Sequence, residues 1–158
     1  LLIRDFRVRR AKELDIQTLW TWRNDPTTIK NSATGKYITW NEHVKWFNNV
    51  INSGIVQIYV GLDADTGCLF GMVRFELDKN SSSCEVSINL SRESRGEGLS
   101  RRLLLGAINN CEFQGPLTLL AYIKPHNIPS VRCFEGVGFG FKRKTGEFLE
   151  FTKAFEKI

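Results

Sequence analysis

A chain of 158 residues, 42% hydrophobic and 25% charged, has enough apolar material for one ordinary core and too much for a disordered segment. Its net charge of +5 is mild, and the basic residues form no recognition-helix or RNA-binding pattern, so no nucleic-acid partner is expected. No apolar run approaches the roughly 20 residues that cross a bilayer, so no membrane partner is expected either.

Phe6, Val8 and Ala11 among polar neighbours predict a first strand near residues 5 to 11. Asp15 then opens a helix carrying Ile16, Leu19, Trp20 and Trp22, which must stop before Pro26. Residues 26 to 39 are polar and read as a loop. Thr39 or Asn41 caps a second helix, with Val44, Trp46, Phe47, Val50 and Ile51 at helical spacing and Gly54 at its end. Three strands follow, Ile55 to Leu62, Leu69 to Leu77 and Cys84 to Leu90, joined by turns at Asp63–Gly67 and Asp78–Ser82. They read as an antiparallel meander. Leu99, Leu103, Leu104, Ala107 and Ile108 form the apolar stripe of a further helix. Leu117 to Ile123 is continuously apolar, the pattern of a strand buried on both faces. Pro129 opens another helix that Gly136 ends. Phe139 and Phe141 begin a further strand, and Phe148 to Phe155 is the last. This order predicts an α+β fold around one mixed sheet, with residues 1–158 as a single domain. The first residue is not Met, consistent with a piece of a longer chain.

Cys68, Cys84, Cys111 and Cys133 lack C-x-x-C spacing, and the two histidines, His43 and His126, form no H-E-x-x-H motif. Buried free thiols, no metal and a cytoplasmic location are therefore expected. The chemistry-bearing segment is Arg95-Gly96-Glu97-Gly98-Leu99-Ser100, between a strand and a helix. Two glycines let the backbone approach a ligand, and a helix start adds unsatisfied N–H donors and a positive dipole end, which together suit a diphosphate. No Gly-Lys-Ser/Thr follows, so the loop is not of the Walker type. G-x-G-x-x-G fails at Arg101.

The remaining pattern, R-G-x-G-x-(G/A), resembles the GNAT family of acyl-CoA N-acyltransferases. Arg95, Gly96 and Gly98 match, and Ser100 stands where Gly or Ala is usual. Asn127-Ile128-Pro129-Ser130, followed by Phe134-Glu135-Gly136-Val137-Gly138-Phe139, resembles the family's N-x-x-S…(Y/F)-E-x-x-G-F segment. The element order agrees over nearly the whole chain. The resemblance implies a GNAT fold, a central mixed and mostly antiparallel sheet flanked by about four helices, with its fourth and fifth strands splayed. It implies acetyl-CoA as acyl-donor cosubstrate and no metal. The backbone of Ser87, Ile88, Asn89 and Leu90 would pair with the pantetheine. Arg95, Gly96, Glu97, Gly98, Leu99, Ser100 and Arg101, with Arg102 nearby, would hold the pyrophosphate. Asn127, Ser130 and Phe134 would face the CoA arm. An amine must lose a proton before attacking the thioester, and Glu85, on the polar side of its strand, is the candidate base. His43 is a second candidate for proton transfer. Phe134 occupies the usual place of a tyrosine proton donor, which leaves the acid unassigned, with the amine's own proton through water as one source.

The front half reads Trp22-Arg23-Asn24-Asp25, then Lys30 and Ser32, then His43 and Trp46, with Arg74 following Gly71-Met72-Val73. With the segment Ala121 to Ser130, this resembles bacterial N-acetyltransferases of the pseudaminic and legionaminic acid pathways, which act on a UDP-linked amino sugar. The implied partner is a small-molecule acceptor, a nucleotide-linked amino sugar. Arg23, Lys30 and Arg74 would receive its phosphates, Asn24 would add a contact, and Trp22, Trp40 or Trp46 would stack on uracil or sugar. Two alternatives stand beside it: a protein N-terminal acetyltransferase of the ribosomal-protein type, and a non-catalytic CoA-binding module. Either a monomer or a homodimer is expected.

Overall fold

The structure, a computed structural model, describes residues 5–157. In chain order its elements are β1 (Phe6–Arg10), α1 (Ile16–Arg23), α2 (Pro26–Asn31), α3 (Trp40–Val50), β2 (Val56–Asp63), β3 (Leu69–Asp78), β4 (Ser83–Leu90), α4 (Leu99–Asn110), β5 (Leu117–Ile123), α5 (Ile128–Gly136), β6 (Gly140–Thr145) and β7 (Phe148–Phe155). The strands form one seven-stranded sheet in the order β1-β2-β3-β4-β5-β7-β6. Every pairing is antiparallel except β4 with β5.

Local chemistry sets the turns and helix starts. The Asp63 carboxylate accepts the N–H groups of Asp65 and Thr66, closing the β2–β3 turn. Thr39 and Glu42 exchange backbone bonds in a capping box that starts α3. The apolar stripe of α4, Leu99, Leu103, Leu104, Ala107 and Ile108, is buried against the sheet as its spacing predicts. Gly61 and Gly71 let it lie close, since a Cβ at either position would come within 2.8 Å of a Leu103 methyl.

The two sheet faces are covered unequally. Helices α4 and α5 close one face over a core that includes Phe75, Val86, Leu119, Ala121 and Phe151. On the other face α1 and α3 pack through Leu19, Trp22 and Phe47 onto Val56, Ile58 and Val60 of β2. That second core stops at Met72 of β3. Beyond it, by alternation, Arg74, Glu76, Glu85, Ser87 and Tyr122 lie on a face without a covering core.

Three expectations change. Residues 26 to 31 are helix, not loop, because Asp25 accepts the N–H groups of Thr27 and Thr28 and Pro26 sits at the first helical position. β5 is not buried on both faces: Leu119, Ala121 and Ile123 are buried, while Thr118 and Tyr122 are exposed, because helices cover one side only. Asp15 precedes α1 but does not cap it through its side chain. Its carboxylate instead binds both guanidinium nitrogens of Arg9, at 2.7 and 2.9 Å, and the N–H of Lys12 at 2.7 Å. Cys84, Cys111 and Cys133 are buried free thiols as expected, and Cys68 is exposed.

Asp15 is 4% exposed, and burial alone would raise its pKa. The bonds from Arg9 and Lys12 outweigh that and hold it below the usual carboxylate range. A depressed carboxylate contributes stability above its unfolded pKa, about 3.9, and loses it as pH falls through the lower folded value. Asp15→Ala is expected to cost about 2 kcal/mol in urea unfolding at pH 7, with the difference from wild type shrinking below about pH 3.9.

Candidate active site

β4 and β5 pair only through Ser83, Cys84 and Glu85 against Thr118, Leu119 and Leu120. Beyond Glu85 the strands part, so the β5-facing edge of residues 86–90 has no ladder partner among the described residues. Ser87, Ile88, Asn89 and Leu90, paired with β3 on one side, form one wall of a wedge on the other, where the Leu90 carbonyl accepts from Arg95; such an open edge is a place where an extended amide chain can add.

Glu85 sits at the apex of that wedge. It is half-buried and lines an open cavity of about 290 Å³ with Glu76, Leu120 and Tyr122. Burial raises its pKa above the usual carboxylate range, Arg74 pulls it back in part, and Glu76, directly opposite on β3, pushes it up again. A carboxylate so placed binds a proton more strongly than a free one, the property a general base needs.

The loop between β4 and α4 carries Gly96 at φ 80° and Gly98 at φ 75°, both left-handed. Gly98 is also the N-cap of α4 and carries no side chain to accept the first N–H groups of the helix. Gly96, Glu97 and Gly98 are exposed, so a ligand can approach the backbone of this turn from solvent. Leu99 is buried beneath it as the first core residue of α4, and Ser100 shares a hydrogen bond with Cys133 of α5. Arg101 is exposed and lies across Gly136 of α5, where any Cβ would collide with its guanidinium. Arg102 stacks over Phe6. Asn127 precedes α5 and donates to Ser130.

Several predicted residues serve the scaffold instead. Arg95 turns away from the loop: its guanidinium meets Asp25 at 3.0 Å, Thr28 at 3.4 Å and the Leu90 carbonyl at 3.2 Å. Phe134 is buried edge-on to Phe139 and faces the core, not a ligand surface. His43 is buried between Trp40 and Trp46, with Nε2 bonded to the Ile16 carbonyl. Burial lowers its pKa, so it is a neutral ring locked in the α1–α3 seam and unsuited to proton transfer at Glu85. Trp22 is core, and Trp46 packs half-buried beside it. Asn24 spends both ends of its amide on the backbone of Ile38 at 2.8 Å, holding the loop before α3. Lys30 is exposed at the end of α2, with its carbonyl accepting Lys124.

Arg23 and Arg74 remain. The two guanidiniums are close enough to repel. Burial first and then Arg74 depress the pKa of Arg23. Arg23 Nη2 reaches Thr34 at 3.3 Å, but Nη1 is buried with no hydrogen-bond partner among the described residues. Arg74 approaches Glu76 at 3.8 Å and also acts on Glu85. A buried guanidinium donor facing a second cation is an arrangement an oxyanion would complete.

The profile described as Acetyltransferase (GNAT) domain matches residues 5–140. The chain belongs to the GNAT acetyltransferase family. It is 30% identical over 137 residues to a Bacillus subtilis (strain 168) protein named "Putative phosphinothricin acetyltransferase YwnH", covering 84% of this chain and 82% of that one. Among solved structures, a Methanocaldococcus jannaschii domain superposes with a TM-score of 0.78 at 21% identity, covering 96% and 99% of the two chains. A Vibrio cholerae spermidine N-acetyltransferase in complex with CoA and spermine gives 0.76 at 18%, covering 93% and 92%. The aminoglycoside acetyltransferase AAC(6')-Ib in complex with coenzyme A gives 0.76 at 16%, covering 95% of each chain.

Sequence reasoning missed how this GNAT enzyme ties α1 and α2 to β4 and the glycine loop. Asp25 caps α2 and pairs with Arg95, and Thr28 donates to Asn89 of β4, whose amide also binds the Trp22 carbonyl. The signal was Asp25-Pro26, an N-cap followed by a first-position proline. α2 and the end of α1 are thereby tied to β4 and to Arg95 at the start of the glycine loop.

Proposed function

We propose that this N-acetyltransferase moves the acetyl group of acetyl-CoA to an amino group of a nucleotide-linked amino sugar, by direct attack of the amine on the thioester. The glycine loop at residues 96–100 takes the pyrophosphate on backbone N–H groups, and Arg101 adds charge from the side. The open edge of β4 takes the pantetheine amides, and one of its N–H groups polarises the thioester carbonyl. Glu85 removes the amine proton from the opposite face of the sheet. Family membership and the coenzyme A complexes of two structural neighbours support the donor.

The observation that carries the acceptor is the Arg23–Arg74 pair, with its buried, unpartnered Nη1. It favours an acceptor bearing an oxyanion, and a sugar nucleotide brings a diphosphate. The cysteine usage of the chain fits a cytoplasmic reaction.

The test is an acetyl-CoA consumption assay over a panel: a UDP-linked 4-amino sugar, phosphinothricin, spermidine, kanamycin and an N-terminal peptide. Preference for the sugar nucleotide supports the reading. Preference for the peptide selects the protein N-terminal acetyltransferase alternative. CoA-dependent thermal stabilisation without turnover of any amine selects the non-catalytic module. Arg23→Met and Arg74→Met are each expected to raise KM for the sugar nucleotide about tenfold, the loss of one charge-assisted hydrogen bond. KM for an uncharged amine should stay unchanged.

A further inference from the structure

Phe134 is buried and carries no proton, so the leaving thiolate lacks its usual donor. A different phenol lies at the wedge. Tyr122 follows Leu120 by two residues on β5, and Leu120 is the register partner of Glu85. Tyr122 therefore lies on the same sheet face just beyond the point where the strands part, and it lines the same cavity as Glu85. Its hydroxyl donates to Glu150 Oε1 of β7 at 3.2 Å, longer than a strong O–H···O bond. Glu150 is itself 3% exposed and is fixed from β6 by Arg143 at 2.7 Å. The phenol is thus held by a buried, anchored carboxylate of the neighbouring β7, while Tyr122 as a whole is 37% exposed and lines the cavity it shares with Glu85.

We propose that Tyr122 is the general acid that protonates the departing CoA sulfur, in place of the missing helix tyrosine. This rests on acetyl-CoA being the donor, and not on which amine accepts. The amine nitrogen bonds to the thioester carbonyl carbon. As the adduct collapses, the C–S bond breaks and the sulfur electron pair takes the Tyr122 proton, giving the free thiol. The proton lost from nitrogen goes to Glu85 and then, through water in the shared cavity, back to the Tyr122 oxygen. No other reactant is needed. The charged groups facing the phenol are Glu150 from β7, Glu85 from β4 and Arg143 from β6. Burial and the two carboxylates keep it protonated across the neutral range.

The chain has three tyrosines, so protein labelled with ¹³C at the tyrosine ζ carbon gives a spectrum that Tyr122→Phe assigns. CoA should move the Tyr122 signal, and dethio-CoA, which lacks the sulfur, should move it much less. In the acceptor assay, Tyr122→Phe should lower kcat about tenfold and leave KM for acetyl-CoA within about twofold. Equal shifts with both ligands, a kcat within about twofold of wild type, or a loss confined to KM overturns the proposal. Because the Phe variant keeps the Arg143–Glu150 pair, an unchanged thermal midpoint separates lost chemistry from lost fold. A protein that binds neither ligand defeats the acetyl-CoA reading and this assignment with it. A changed acceptor preference leaves the assignment standing, since the same measurements run with whichever amine is used.

Discussion

Glu85→Gln should lower kcat by about 100-fold or more while leaving the affinity for CoA unchanged, because it removes a general base without altering shape. The pH profile is the sharper readout. A base must be ionised to work, so the wild-type rate climbs as pH passes through the Glu85 pKa, which burial and Glu76 hold above the ordinary range. In the Gln variant that climb should vanish. Arg74 supplies a second check, since it pulls the Glu85 pKa down against burial and Glu76. Removing its charge should move the climb to higher pH even with an uncharged acceptor. An unchanged profile in Glu85→Gln would take the carboxylate out of the mechanism and leave only its place at the apex.

The alternation of β4 carried this assignment from sequence. Val86, Ile88 and Leu90 pack with the α4 core, which turns Glu85, Ser87 and Asn89 to the other face whatever the rest of the fold does. The α4 stripe and the strand order were legible for the same reason: periodicity reports which side is buried. What periodicity does not report is how much of a face is covered. β5 reads as apolar throughout, yet Tyr122 meets solvent because the second core stops at Met72 and α1 and α2 reach only as far as Asn89 of β4 on that side. Its amphipathic ring satisfied the pattern of a buried strand while offering its hydroxyl to the cavity.

The substrate-side residues show the opposite limit. Polar residues in a front half read as ligand contacts until their partners are known. Asn24 and His43 have backbone partners, at Ile38 and Ile16, and Arg95 has Asp25. These are pairings across 14 to 70 positions of chain, set by how α1, α2 and α3 stack, and no spacing rule encodes them. Arg23 and Arg74, 51 positions apart, stand out in the sequence through the front-half resemblance together with their charge. Their mutual approach and the orphaned Nη1 are products of the same stacking.

Replacing Gly96 and Gly98 together by Val should weaken CoA binding by about 100-fold. Both backbones are left-handed, at φ 80° and 75°, where a β-branched residue is strained by about 1 to 3 kcal/mol per site. Neither glycine has a neighbour within 4 Å of a built Cβ, so the loss would come from backbone conformation and not from a clash. Relief requires the loop to rotate into the right-handed or extended region, which turns its N–H groups away from the space before α4. Gly98 also sets the first turn of α4, so a modest fall in thermal midpoint should accompany the change. The distinguishing quantity is the CoA-induced rise in that midpoint: ligand at 100 times its dissociation constant stabilises by about 2.7 kcal/mol, and a 100-fold weaker site at the same concentration by about 0.4 kcal/mol. Retention of the full CoA-induced rise in the double variant would place the diphosphate away from this turn. Arg95→Ala offers the contrast. Its guanidinium already has Asp25, Thr28 and the Leu90 carbonyl as partners, so its removal should loosen α2 and disturb acceptor binding more than CoA binding.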